Sequence, residues 1–140
     1  MKAALVLLLV SMPAAATCDW RISSDRTDPM TDQRVCIISS SAAKIGFGVY
    51  PDRVMFLTRS AYAYRDGLQV RIDDAPAIYL TDKARSTDAF EHGARDAYAQ
   101  ILTGKRLRTS YRDYPQAQEG DAEICNLPAL IQSCRVRPTR

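Results

Sequence analysis

The 140-residue chain predicts a mainly β protein: a compact antiparallel β-sandwich or barrel with one inserted amphipathic helix, a short C-terminal helix and two disulfides. Three observations carry that expectation. Short segments of apolar and polar alternation follow one another, separated by turns rich in Asp, Pro and Gly. The period turns helical only after Thr87 and again after Asn126. Four cysteines follow an export leader, and an oxidising compartment makes them staples.

The leader comprises Lys2, the apolar run Ala3 to Val10 and the small residues Ala14-Ala15-Ala16, the layout of a signal peptide over residues 1–16. Residues 17–140 are then one β-rich domain with a basic C-terminal tail, expected in the periplasm or outside the cell. Thr17, rather than Gly, Ala or Ser, precedes Cys18, which argues against a lipid-acceptor cysteine. No run beyond the leader reaches the length of a membrane span. Nineteen basic side chains against sixteen acidic ones leave a net charge of +3, too small to predict nucleic-acid binding.

The first element is a hairpin between Cys18 and Cys36. Its turn is expected at Thr27, within Asp25 to Pro29, which places Trp20 opposite Arg34 and sends Trp20, Ile22, Ile38 and the cysteines into one interior. Four cysteines allow three connectivities, and this hairpin favours Cys18 with Cys36 and Cys125 with Cys134. Without a close Cys-x-x-Cys pair, no metal and no cofactor is expected. Ala43 to Tyr50 alternates Ile45, Phe47 and Val49 with two glycines, a half-buried strand. Arg53 to Arg59 is apolar on both parities and reads as a strand covered on both faces. Leu68 to Ile72 alternates cleanly, and Ala77 to Leu80 is a short strand after the turn at Asp74-Ala75-Pro76.

Helical spacing of Phe90, Ala94, Ala97, Tyr98, Ile101 and Leu102, with Asp88 and Glu91 at the start and Gly104 at the end, predicts the inserted helix from Thr87. Lys105 to Tyr111 is a strand with Leu107, Thr109 and Tyr111 inward and Arg106, Arg108, Ser110 and Arg112 outward. Tyr114 to Gly120 reads as a polar loop and Ala122 to Cys125 as a last short strand. Leu127, Leu130, Ile131 and Cys134 share a face of the C-terminal helix, with Pro128 in its first turn.

Several of these stretches resemble, in layout, small exported bacterial proteins of the invasion-associated locus B and type VI secretion-associated VasI/TagO kind. The matching pieces are Trp20, Asp28-Pro29-Met30-Thr31-Asp32, Val70-Arg71-Ile72-Asp73 with Ala75-Pro76, and Leu102 to Leu107 leading into Leu127 to Cys134. The resemblance implies an envelope β-sandwich that acts through protein contacts. Phe56-Leu57-Thr58 stands where such families often carry a cysteine, so their disulfide pattern need not apply.

Catalytic chemistry has little to build on. His92, the only histidine, sits beside Glu91 and a turn from Asp96, but nothing in the spacing selects Ser60 or Ser110 to complete a triad with it. Asp73 and Asp74 are adjacent and point to opposite faces of a strand, which suits a turn and not a pair flanking one glycosidic bond. Asp28 and Asp32 lack the spacing of a calcium loop. Two binding candidates stand out. Arg106, Arg108 and Arg112, with Arg71, form a guanidinium-bearing strand face suited to carboxylate or phosphate. Arg59, Tyr62, Tyr64 and Arg65 combine residue types enriched at binding hot spots. The expected function is a non-catalytic exported binding or accessory protein of the cell envelope, with an acidic envelope or secretion-system protein as partner. A periplasmic inhibitor of a hydrolase such as lysozyme is the alternative, with the Ser60 to Gly67 loop entering the cleft.

Overall fold

Eight strands sort into two antiparallel four-stranded sheets in a computed structural model that describes residues 18–59, 67–88 and 93–136. The first sheet is a meander of β1 (Arg21–Thr27), β2 (Arg34–Ser39), β3 (Ile45–Val49) and β4 (Val54–Thr58). The second runs β6-β5-β7-β8, from β5 (Leu68–Ile72), β6 (Ile78–Leu80), β7 (Arg106–Asp113) and β8 (Gln116–Glu123). Between β6 and β7 lies helix α1 (Gly93–Thr103), and helix α2 (Leu127–Arg135) closes the fold. Two separate sheets make this a sandwich and not a barrel.

Alternation decides what is inside. Ile38, Phe47, Phe56, Leu68, Val70 and Leu107 join Ala94, Ala97 and Ile101 of α1 and Leu127 and Ile131 of α2 in a single buried cluster. Trp20 packs on Phe47 with ring centroids 5.5 Å apart, and Phe47 meets Phe56 edge-on at 4.9 Å. The Trp20 indole N–H donates to the Glu123 carbonyl at 2.8 Å, so its polar end is satisfied where β8 leaves the second sheet.

The β2–β3 turn joins the two sheets. Its three successive carbonyls accept hydrogen bonds from the second sheet: Ala42 from the Asp121 backbone N–H, Ala43 from the Thr109 hydroxyl and Lys44 from the Tyr111 hydroxyl. Gly120 lies against this turn; a Cβ there would fall 2.0 Å from the Ala43 oxygen.

The first hairpin forms, in a different register. Asp28 and Gln33 close the turn, Asp28 Oδ1 accepts from the Met30 N–H, and Asp32 adopts a φ of 53°. The asparagine-like turn chemistry of Asp28 therefore centres the reversal beyond Thr27, which pairs with Arg34. Cys36 faces Asp25 rather than Cys18, and a register shift between Ile22 and Ser24 leaves Ile22 exposed. The disulfides change accordingly. They join Cys18 to Cys125 and Cys36 to Cys134, not Cys18 to Cys36 and Cys125 to Cys134. Cys36 points inward beneath α2, and Cys18 lies ahead of β1 at the β8–α2 junction.

Three other expectations shift. Met55 and Leu57 of β4 are only partly covered, because the outer face of the first sheet stays open. Residues around Thr87 pair along the free edge of β4, with the Thr87 N–H donating to the Val54 carbonyl, where a helix start was expected; residues 89–92 lie outside the described segments. The polar stretch after Tyr114 is a strand, β8, paired along its length with β7. Its solvent side carries the polar residues while Gly120 and Ala122 face inward, so composition alone resembled a loop.

Arg34 ties the hairpin to the end of α2. Its guanidinium bonds both Asp25 carboxylate oxygens at 2.9 and 2.6 Å and donates to the Ser133 and Val136 carbonyls at 3.0 and 2.7 Å. Cationic donors at a helix C-terminus satisfy orphan carbonyls. Arg34→Ala should cost about 1–2 kcal/mol in chemical denaturation, and Arg34→Lys should restore little of it, since one ammonium cannot make four bonds in two directions.

Candidate functional site

The outer face of the second sheet carries the guanidinium stripe. Arg71 of β5 stands directly opposite Arg108 of β7, and Arg106, Arg108, Ser110 and Arg112 face Glu123, Asp121, Glu119 and Ala117 of β8. Like charges abut on one side and opposite charges on the other. Arg106 forms a two-pronged pair with Asp121. That pairing holds the Asp121 carboxyl below its ordinary range against a smaller opposing effect of burial, and it raises Arg106. Arg108 donates to the Asp73 carbonyl at 2.7 Å and stands 3.8 Å from Asp74. Arg71 donates to the Ala75 carbonyl at 2.9 Å, so Arg71 and Arg108 both brace the β5–β6 turn. The Asp73 carboxylate accepts from the Lys105 and Arg106 N–H groups across that turn, a structural use of the acid pair.

Arg112 differs. It is exposed, faces the small Ala117, and forms no ion pair among the described residues. With Gly67, Gln69 and Ser110 it lines a shallow depression of about 410 Å³. Gly67 is the residue at which the chain returns from the segment holding Tyr62, Tyr64 and Arg65, which lie outside the described residues, as do Ser60 and His92. At the segment's other end, Arg59 is exposed and its backbone bonds the Tyr111 hydroxyl. Burial raises the Tyr111 phenol above its ordinary range, so it stays a neutral hydroxyl between the Arg59 and Lys44 backbones. Arg59 from one candidate group and Arg112 from the other therefore both lie at the Tyr111–Arg112 end of β7. Nothing in the sequence signals the proximity of Arg59 and Arg112, which arises because β5 starts beside this end of β7 and Tyr111 reaches the backbone at Arg59.

Asp19 organises the opposite side of Tyr111's contacts. Its carboxylate accepts from the Ser40 hydroxyl and from the Ala42 N–H at 2.9 Å, and so fixes the β2–β3 turn. Burial would raise this carboxyl, but the hydrogen bonds from Ser40 and the Ala42 and Ser41 backbone outweigh it and leave it below its ordinary 3.8. A depressed folded-state value contributes stability above the unfolded value, and that contribution is lost as pH falls through the folded value. Asp25 and Asp121 act in the same direction through Arg34 and Arg106. The urea midpoint should therefore drop on acidification below about pH 4, and D19N should show a shallower drop together with a lower midpoint at neutral pH.

Cys18, Cys125 and Glu123 present three ligand-type atoms within 4.8 Å of one another. With both sulfurs joined in a disulfide, the Glu123 carboxylate is the only one of the three left with ligand character. Among the described residues no helix is long and apolar enough to cross a membrane. Comparison with protein-family models, with curated proteins and with solved structures finds no match to this chain.

Proposed function

We propose that the protein is a non-catalytic binding or accessory protein of the bacterial cell envelope, exported to the periplasm or beyond, and that it holds an acidic partner protein at the Tyr111–Arg112 end of β7. One observation carries the reading: Arg112, exposed and without an ion pair among the described residues, shares its depression with Gly67, while Tyr111 bonds the backbone of Arg59, so three residues from separate strands and strand ends, Arg59, Gly67 and Arg112, gather at one end of β7. An arginine free to engage a partner carboxylate in two-pronged fashion gives both attraction and orientation. Arg106 and Arg108 contribute less directly, since their forks already brace the sheet. Two disulfides fit an oxidising compartment, and the layout resemblance to invasion-associated locus B and VasI/TagO proteins belongs to the same proposal.

The test is a crosslinking pull-down from intact cells with the tagged protein, Arg112→Ala, Arg59→Ala, and the Arg106, Arg108 and Arg112 triple-alanine variant, each checked for native folding. Loss of one envelope partner with Arg112→Ala and Arg59→Ala is the expected result, with the triple variant adding little. Retention of the partner by all three variants would remove this surface from consideration.

A further inference from the structure

A second cleft, of about 230 Å³, opens on the outer face of the first sheet and shares only Arg59 with the surface just described. It is built by register. Arg21, Ser39, Gly46 and Leu57 stand side by side across β1, β2, β3 and β4, and all four line it. Ile37 and Leu57 give the cleft apolar walls. Arg21, Lys44 and Arg59 bring three cations to it, and Ser39, Ser41 and Thr58 bring hydroxyls. Of the eleven residues that line it, none is acidic.

That charge pattern contrasts with the second sheet, where most guanidinium groups have an acidic or carbonyl partner. Among the described residues none of the three cations forms an ion pair. Asp19 approaches through Ser40, but its oxygens are occupied by Ser40 and the Ala42 N–H. The Tyr111 hydroxyl donates to the Lys44 carbonyl at 2.6 Å, so the backbone that carries one of the three cations is tied to the second sheet. Like charges gathered without a counter-ion repel one another, and an anion relieves that cost while gaining charge-assisted hydrogen bonds.

We infer that this cleft binds a phosphomonoester group. Three cations match its near-double negative charge, the hydroxyls supply further donors, and the apolar walls receive the carbon chain next to the ester. The volume lies below the range of about 300–1,000 Å³ usual for whole drug-sized ligands, which suits a headgroup. The group belongs either to a free metabolite or to a lipid, and the two sources are separable by experiment.

The oxidised protein would be titrated with inorganic phosphate and glycerol 3-phosphate, followed by amide chemical shifts, and mixed with phosphatidylcholine vesicles with and without phosphatidic acid. Saturable shifts centred on Ser39, Ser41 and Gly46 are expected. The Arg21, Lys44 and Arg59 triple-glutamine variant should weaken binding by at least about tenfold, while Arg112→Gln leaves it unchanged. Tighter binding of glycerol 3-phosphate with no preference among vesicles would identify a free ester; capture by phosphatidic acid vesicles, lost in the triple variant, would identify a lipid headgroup. Absence of binding to every probe, shifts centred elsewhere, or equal weakening by Arg112→Gln would overturn the inference.

Discussion

Reduction of both disulfides should leave the protein largely unfolded at 37 °C. Cys18–Cys125 and Cys36–Cys134 close loops with sequence separations of 107 and 98 residues, so each bridge nearly circles the described chain. For a loop of that size the chain-entropy account gives about 4–5 kcal/mol per bridge taken singly, against a total stability of about 5–15 kcal/mol for typical domains. The loops overlap, so the second bridge adds less than the first. Access orders their loss: Cys18 and Cys125 are exposed, whereas Cys36 and Cys134 are 0% and 2% exposed. Mild reductant should therefore open Cys18–Cys125 while the fold persists, and a second, cooperative loss of structure should follow opening of Cys36–Cys134. Non-reducing peptide mapping combined with far-ultraviolet circular dichroism checks both the connectivity and the order. A fully reduced chain that keeps its native midpoint would contradict the expectation.

Gly120→Ala is expected to be the most damaging single methyl addition. The new Cβ would lie 2.0 Å from the Ala43 oxygen, 2.3 Å from the Ala43 carbonyl carbon and 2.4 Å from the Thr109 hydroxyl. Two of these atoms are backbone and cannot rotate away, so β8 and the β2–β3 turn must separate. Separation breaks the Thr109-to-Ala43 bond and strains the neighbouring bond from the Asp121 N–H to the Ala42 carbonyl. Overpacking with loss of buried hydrogen bonds predicts a cost of about 3 kcal/mol or more. Denaturant unfolding monitored by Trp20 fluorescence reads it directly, because the Trp20 indole bonds the Glu123 carbonyl at the end of the same strand. Thr109→Val, which removes only the hydroxyl, should cost less and separates the hydrogen-bond contribution from the steric one.

Local pattern accounts for much of the architecture. The alternation of Leu68, Val70 and Ile72 and of Leu107, Thr109 and Tyr111 was enough to assign their buried faces, because a strand side chain has only two directions to choose from. The spacing of Ala94, Ala97 and Ile101 did the same for α1, although Leu102, expected on that face, is exposed. Most of strand β8 reads as a loop, and only its end near Ala122 as a strand, because an outer strand needs few inward apolar residues and its inner face is made of Gly120 and Ala122. The outward direction of Arg106, Arg108 and Arg112 was legible; their different engagement was not, since Asp121 reaches Arg106 only through the β7–β8 register.

By itself the sequence determined two things: a mainly β chain with two late helices, and the inward or outward sense of most strand residues, both consequences of short-range periodicity. Tertiary structure alone decided which cysteines meet, because pairing over separations of 107 and 98 residues follows from hairpin register and the placing of α2 and not from local spacing. It also decided which cations gather. Arg21, Lys44 and Arg59 are scattered along the chain and share one cleft only because β1 to β4 align in a single sheet.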